Sequence, residues 1–171
     1  MEKQGISLLI SLLKMSEETL LLKLPFILKK LGYKKTESTN NYIFAKGNIP
    51  VLLIAHVDTV LKSPPTEIFY DSEKTVMWSP RGLGADDRAG IFSILKILED
   101  NSLRPSILFT NGEEKGGIGA KAFVLKYPKS PIKNLKYIIQ LDRQGEKDCV
   151  FYDCGNKEFE KYVNSFGFKT E

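Results

Sequence analysis

Histidine is nearly absent from this sequence: His56 is the only one among 171 residues, alongside two cysteines and one tryptophan. So few cysteines exclude a small domain stapled by disulfides and any cysteine-rich zinc module. Cys149 and Cys154 stand five apart, a separation that puts them on opposite faces of a strand, so reduced thiols and a cytoplasmic setting are expected. Also missing is any apolar run long enough to span a membrane. The stretch from Ile6 to Leu13 is too short, is interrupted by Lys14, Glu17 and Glu18, and carries no small-residue cleavage pattern, so neither a membrane span nor a secretion signal is expected. The 25 basic and 21 acidic residues are scattered, with no basic tract interleaved with aromatics, which argues against a nucleic-acid surface. No internal repeat, linker or low-complexity tract divides the chain, so one domain over residues 1–171 is expected.

What is present is strong periodicity. From Ile6 to Leu31 leucine and isoleucine recur at helical spacing; Ser16 followed by Glu17 and Glu18 reads as an N-cap with an acidic first turn, Pro25 as a disturbance and Gly32 as a stop. Asn41 to Ala45, Val51 to Val57, Ser106 to Thr110 and Tyr137 to Leu141 read as strands, with Thr66 to Tyr70 and Thr75 to Trp78 as a small hairpin and Val150 to Tyr152 as a further strand. Helices are predicted over Asp87 to Asp100, Gly117 to Lys126 and Lys157 to Phe166. The alternation predicts an α/β fold, with a mostly parallel central sheet flanked by helices on both faces.

His56 ends the apolar run VLLIA and is followed by Asp58. Asp86 and Asp87 precede a helix, Glu113 and Glu114 follow SILFT, and Asp142 follows YIIQL. Ligands of α/β sheets bind outside the carboxyl ends of the strands, where three of these four clusters fall. So many acids beside one imidazole would repel and desolvate one another unless a cation sits among them. Imidazole and carboxylate are zinc ligands. Asp58, two residues beyond His56, can back the ring and fix its tautomer. Within the pair Glu113 and Glu114, one carboxylate can bind metal while the other faces a water as general base. Taken singly, each motif has a plainer reading: a structural histidine, an acidic helix N-cap, a solvated glycine-rich loop, a strand-end salt bridge. Their joint occurrence, in this order, favours a metal site.

HVD, GADDRAG, NGEE and LDR together resemble the co-catalytic di-zinc exopeptidases, the group that includes leucyl aminopeptidases, peptidase T and glutamate carboxypeptidases. The likeness runs from about Val51 to Gly145. It implies that His56 and Asp142 bind a first zinc, Asp86 bridges two ions and Glu114 binds the second. Glu113 would be the general base, Asp58 would orient the histidine, and a peptide would be the substrate. Asp87 competes with Asp86 for the bridging place; the group's spacing to a glycine, here Gly90, favours Asp86, and in several members the bond after that residue is cis.

The group also supplies a second histidine, well after the aspartate of its LDR-like motif. Here only 29 residues follow Asp142, and none is histidine. The expectation is therefore a catalytic domain incomplete at its C-terminus, or a second metal site left incomplete. The alternatives are a non-catalytic relative holding at most one zinc, and a magnesium- or manganese-dependent hydrolase. Oligomeric state is not encoded in any of these signals.

Overall fold

The computed structural model describes residues 3–128, 132–145, 147–152 and 156–170. Two helices open the chain, α1 (Lys3–Leu13) and α2 (Glu17–Lys30). Ser16 caps α2 by accepting the Thr19 N–H at 3.2 Å, with Glu17 and Glu18 in the first turn. Pro25 does not break the helix. The carbonyl of Leu21, which Pro25 cannot serve, accepts a long hydrogen bond from the Ser38 hydroxyl at 3.5 Å, and Leu20, Leu24 and Leu28 stay buried on one face. Gly32, at a φ of 96°, ends α2 while Tyr33 N–H reaches back to the Leu28 carbonyl.

The chain then forms β1 (Thr36–Ser38), β2 (Tyr42–Ala45) and β3 (Val51–His56), and the hairpin β4 (Phe69–Tyr70) and β5 (Met77–Trp78). It continues through α3 (Ala85–Asp100), β6 (Ser106–Thr110), α4 (Ile118–Lys126), a single 3₁₀ turn (Ile132–Asn134) and β7 (Tyr137–Gln140). It closes with β8 (Asp148–Cys149), α5 (Lys157–Asn164) and β9 (Lys169–Thr170). β1 was not foreseen, and Val150 to Tyr152 is not a strand: pairing falls instead on β8 against β9, because a strand exists only where a partner runs beside it. Cys149 is a free thiol; Cys154 lies outside the described residues.

The central sheet has the order β1-β2-β6-β3-β7. β6, β3 and β7 are parallel, while β2 and β1 are antiparallel additions at one edge. Both faces of β6 are covered, which is why SILFT carries no polar alternation. Ile107 and Phe109 face α1, α2 and α3, joining Leu12, Leu24, Ile91 and Ile94; Leu108 faces the other way, with Tyr42, Phe44 and Phe123 of α4. The helices thus lie on both faces as the periodicity predicts. β7 differs: Tyr137, Ile138 and Ile139 are exposed, and Tyr137 stacks on Phe159 of α5 with ring centroids 5.1 Å apart.

Register positions the site. His56 pairs with Thr110, so the turn after β6 leaves the sheet level with His56. Ile54 pairs with Gln140, which sets Asp142 across from His56 on the other side. The N-terminus of α3, which packs on β3, arrives at the same rim.

Candidate metal centre

His56 is 1% exposed, and its Nε2 faces acids: Asp86 Oδ1 at 3.1 Å, Asp142 Oδ1 at 3.5 Å and Glu113 Oε2 at 3.9 Å. Its Nδ1 lies 2.9 Å from the backbone carbonyl of Asp58 and 3.4 Å from the carboxylate. The nearer acceptor is therefore the main chain; with the Nδ1 proton donated to it, Nε2 is the nitrogen left to face the acids and a cation among them. The Asp58 carboxylate, fully buried, has another duty in addition: it accepts the backbone N–H of Glu113 at 3.0 Å and of Glu114 at 3.1 Å. One carboxylate thereby fixes the turn that carries both glutamates against the histidine strand.

Asp86 and Asp87 have non-helical backbone angles at the start of α3, and the peptide bond between them is cis. Their side chains diverge. Asp87 is buried and accepts two main-chain hydrogen bonds, from His56 N–H at 3.2 Å and Gly90 N–H at 2.9 Å. The side chain of Asp86 is 74% exposed and opens onto the rim. Gly90 is required for this packing, since a Cβ there would stand 2.1 Å from the Leu141 carbonyl and 2.2 Å from Asp87 Oδ1. Arg88, which the motif reading passed over, is 3% exposed and runs behind the site to α1. No signal in GADDRAG distinguishes it from a solvated first-turn arginine.

The electrostatics are those of a crowded anionic rim. Burial, then the Asp142 carboxylate, pushes Asp87 up to about 7 despite its hydrogen bonds. Burial also raises Asp142, and burial with the Asp86 charge raises Glu114. For His56 burial opposes protonation, but the charges of Asp142, Asp87, Asp58 and Glu113 outweigh it and raise its pKa. A divalent cation relieves this repulsion where a proton otherwise must. Among the described residues, two sets of donor atoms, each within 4.8 Å of one another, could hold one: His56 with Asp86 and Glu114, and His56 with Asp87 and Asp142. The four ligands expected from the sequence are thus divided between two sets that share His56, and in the second it is Asp87 rather than Asp86 that joins Asp142. The imidazole and carboxylate donors suit zinc, and the glutamate of residue 113 stands next to the cluster without belonging to either set.

Peptidase family M28 matches residues 38–169 of this sequence. The chain belongs to that family. As a family M28 member it is also 35% identical over 99 residues to probable carboxypeptidases of Aspergillus flavus and Aspergillus oryzae, a match spanning 51% of this chain and 23% of theirs. The fold is that of a tripeptidase from Staphylococcus aureus (TM-score 0.69, 22% identity, 88% of this chain and 46% of that one). It is equally that of the aminopeptidase PepT from Bacillus cereus (TM-score 0.69, 21% identity, 86% and 45%). The chain thus spans under half the length of these solved structures and about a quarter of the curated relatives.

Proposed function

We propose that this chain carries the metal-binding core of a zinc-dependent exopeptidase of the aminopeptidase or dipeptidase type. The observation that supports it most is the convergence of His56, Asp86, Glu114 and Asp142 on one rim, with Glu113 beside them. His56 and Asp142 would hold a first ion, Glu114 would hold a second, and Asp86 would serve both. Asp86 suits the bridge better than Asp87, whose carboxylate oxygens already accept main-chain N–H groups. Bound zinc supplies a Lewis acid that polarises the scissile carbonyl and acidifies water.

The chain's own residues do the rest. Glu113 takes the proton from the attacking water and returns it to the departing amine. Asp58 holds Glu113 in place through its main-chain N–H, and the Asp58 carbonyl keeps His56 in the tautomer with Nε2 free. A free Cys149 accords with a cytoplasmic setting.

Glu113→Gln tests this. It keeps the N–H that Asp58 accepts and removes the base, so zinc affinity by calorimetry should stay within about threefold while hydrolysis of free dipeptides and aminoacyl amides falls about 10²–10⁴-fold. Equal hydrolysis by the two proteins removes Glu113 from the mechanism. A second reading, a non-catalytic relative holding at most one zinc, is favoured by the single nitrogen donor shared between both donor sets. It stands if the folded, zinc-loaded chain hydrolyses none of these substrates, and metal analysis after purification without chelator separates zinc from magnesium or manganese.

A further inference from the structure

Arg88 follows Asp87 in the first turn of α3, where a guanidinium normally reaches water. Here the side chain is 3% exposed and its Nη1 donates to the carbonyls of Leu12, at 3.0 Å, and Met15, at 2.9 Å. Those carbonyls lie at and just past the end of α1, the negative pole of that helix. The buried Nε has no hydrogen-bond partner among the described residues. A buried guanidinium with an unmatched donor is costly, and an apolar side chain of the same length would fill the space without that cost.

The adjoining residue is tied in the opposite direction. Asp87 accepts the N–H of His56 on β3, so residues 87 and 88 brace one turn between the histidine strand and α1. The turn lacks helical backbone angles at Asp86 and Asp87, so helical hydrogen bonding does not set its course. Asp86, mostly exposed, contacts His56 Nε2 at 3.1 Å. The Arg88 charge also attracts Glu17 at the start of α2 and, less strongly, buried Asp58, which holds the Glu113–Glu114 turn.

We infer that Arg88 is a positioning residue for the metal centre: by bonding the end of α1 it fixes the turn that presents Asp86 to the ion shared with His56. The inference rests on the metal-site reading above. The neighbouring cleft of about 350 Å³ does not offer a rival role as an anion site. Glu17 and Glu18 line it together with Lys62 and Arg88, so its charges balance, and the unpartnered Nε is sealed from it by protein.

The test uses Arg88→Met, which keeps the stem and removes the guanidinium, and Arg88→Lys, which keeps the charge but is shorter and lacks the planar fork that reaches both carbonyls. Zinc affinity is measured by competition with a chromophoric chelator, ligand geometry by the visible absorption of the cobalt(II) form, and stability by urea unfolding in chelator. Ile94→Val, in the core face of the same helix, is the control for lost stability alone. We expect Arg88→Met to weaken zinc at least tenfold and shift the cobalt spectrum, Arg88→Lys to weaken it about threefold, and Ile94→Val to leave both unchanged. Should Arg88→Met not fold, Arg88→Lys decides by the same two readouts. Affinity and spectrum identical to wild type in the arginine variants overturn the inference alone; a wild-type chain that binds no divalent ion overturns it together with the metal-site reading.

Discussion

Replacing Gly90 by alanine should damage this protein well beyond the usual effect of one methyl group. Gly90 is not in the left-handed backbone region, so conformation is not the reason. Space is. An added Cβ would lie 2.1 Å from the Leu141 carbonyl and 2.2 and 2.6 Å from the two Asp87 oxygens. The Leu141 carbonyl cannot swing away freely, because the Leu141 N–H is bonded to Ile54 of β3 at 2.9 Å. Relief therefore requires α3 and the segment after β7 to separate by more than about 1 Å, a strain on the order of 1–3 kcal/mol. Asp87 must also release the Gly90 N–H, a bond worth about 0.5–1.5 kcal/mol with the Asp87 carboxyl raised toward neutrality. Against this stands a gain of about 0.5–1 kcal/mol for glycine to alanine in a helix. The net expectation is a loss of about 1–4 kcal/mol. Gly5 in α1 isolates that gain, since its nearest neighbour would be Phe92 Cζ at 3.8 Å, and Gly5→Ala should stabilise by about 0.5–1 kcal/mol. Equilibrium urea unfolding of both variants reads the difference directly. A Gly90→Ala protein as stable as Gly5→Ala would refute the close approach of α3 to the Asp142 segment.

Acid should act on a second cluster, remote from the metal centre. Glu37 on β1 accepts hydrogen bonds from Lys126 at 2.7 Å and from the Tyr42 and Tyr127 hydroxyls; these outweigh its desolvation and hold its carboxyl down at about 2. A lowered folded-state pKa means stability that is complete above about 4.5 and lost as pH falls toward 2, so Glu37→Gln should cost about 1–2 kcal/mol at pH 7 after allowance for solvent screening and much less at pH 3. Urea midpoints at the two pH values measure this, and a pH-independent gap between variant and wild type would contradict it. Tyr33→Phe tests the seam between α2 and the strand β6: its buried hydroxyl donates to the Pro105 carbonyl at 2.6 Å, and its loss should cost about 1–2 kcal/mol in the same assay.

Much of this was written locally. The apolar runs VLLIA and SILFT announced strands covered on both faces, and the ladder shows why: β3 and β6 lie inside the sheet. Ser16 and Gly32 bounded α2 as their capping chemistry requires. The acids beside His56 were legible because residues at the carboxyl ends of parallel strands must share a rim. Pro25, by contrast, promised a disturbance, yet α2 runs through it to Lys30 with Leu20, Leu24 and Leu28 buried on one face, a packing of residues that the local sequence does not reveal.

By itself the sequence determined the α/β alternation, the rim on which the acids gather and the likeness of HVD, GADDRAG, NGEE and LDR to a metallopeptidase site. Each of these depends on local periodicity or on residue type at a strand end. Only the tertiary structure decided which hydrogen bonds each polar group makes. It gave the Asp58 carbonyl to His56 and the Asp58 carboxylate to the N–H groups of Glu113 and Glu114; it left Asp86 open while closing Asp87, and it sent Arg88 back to α1. Those choices join residues far apart in the chain, and no local signal specifies a partner that only packing brings near.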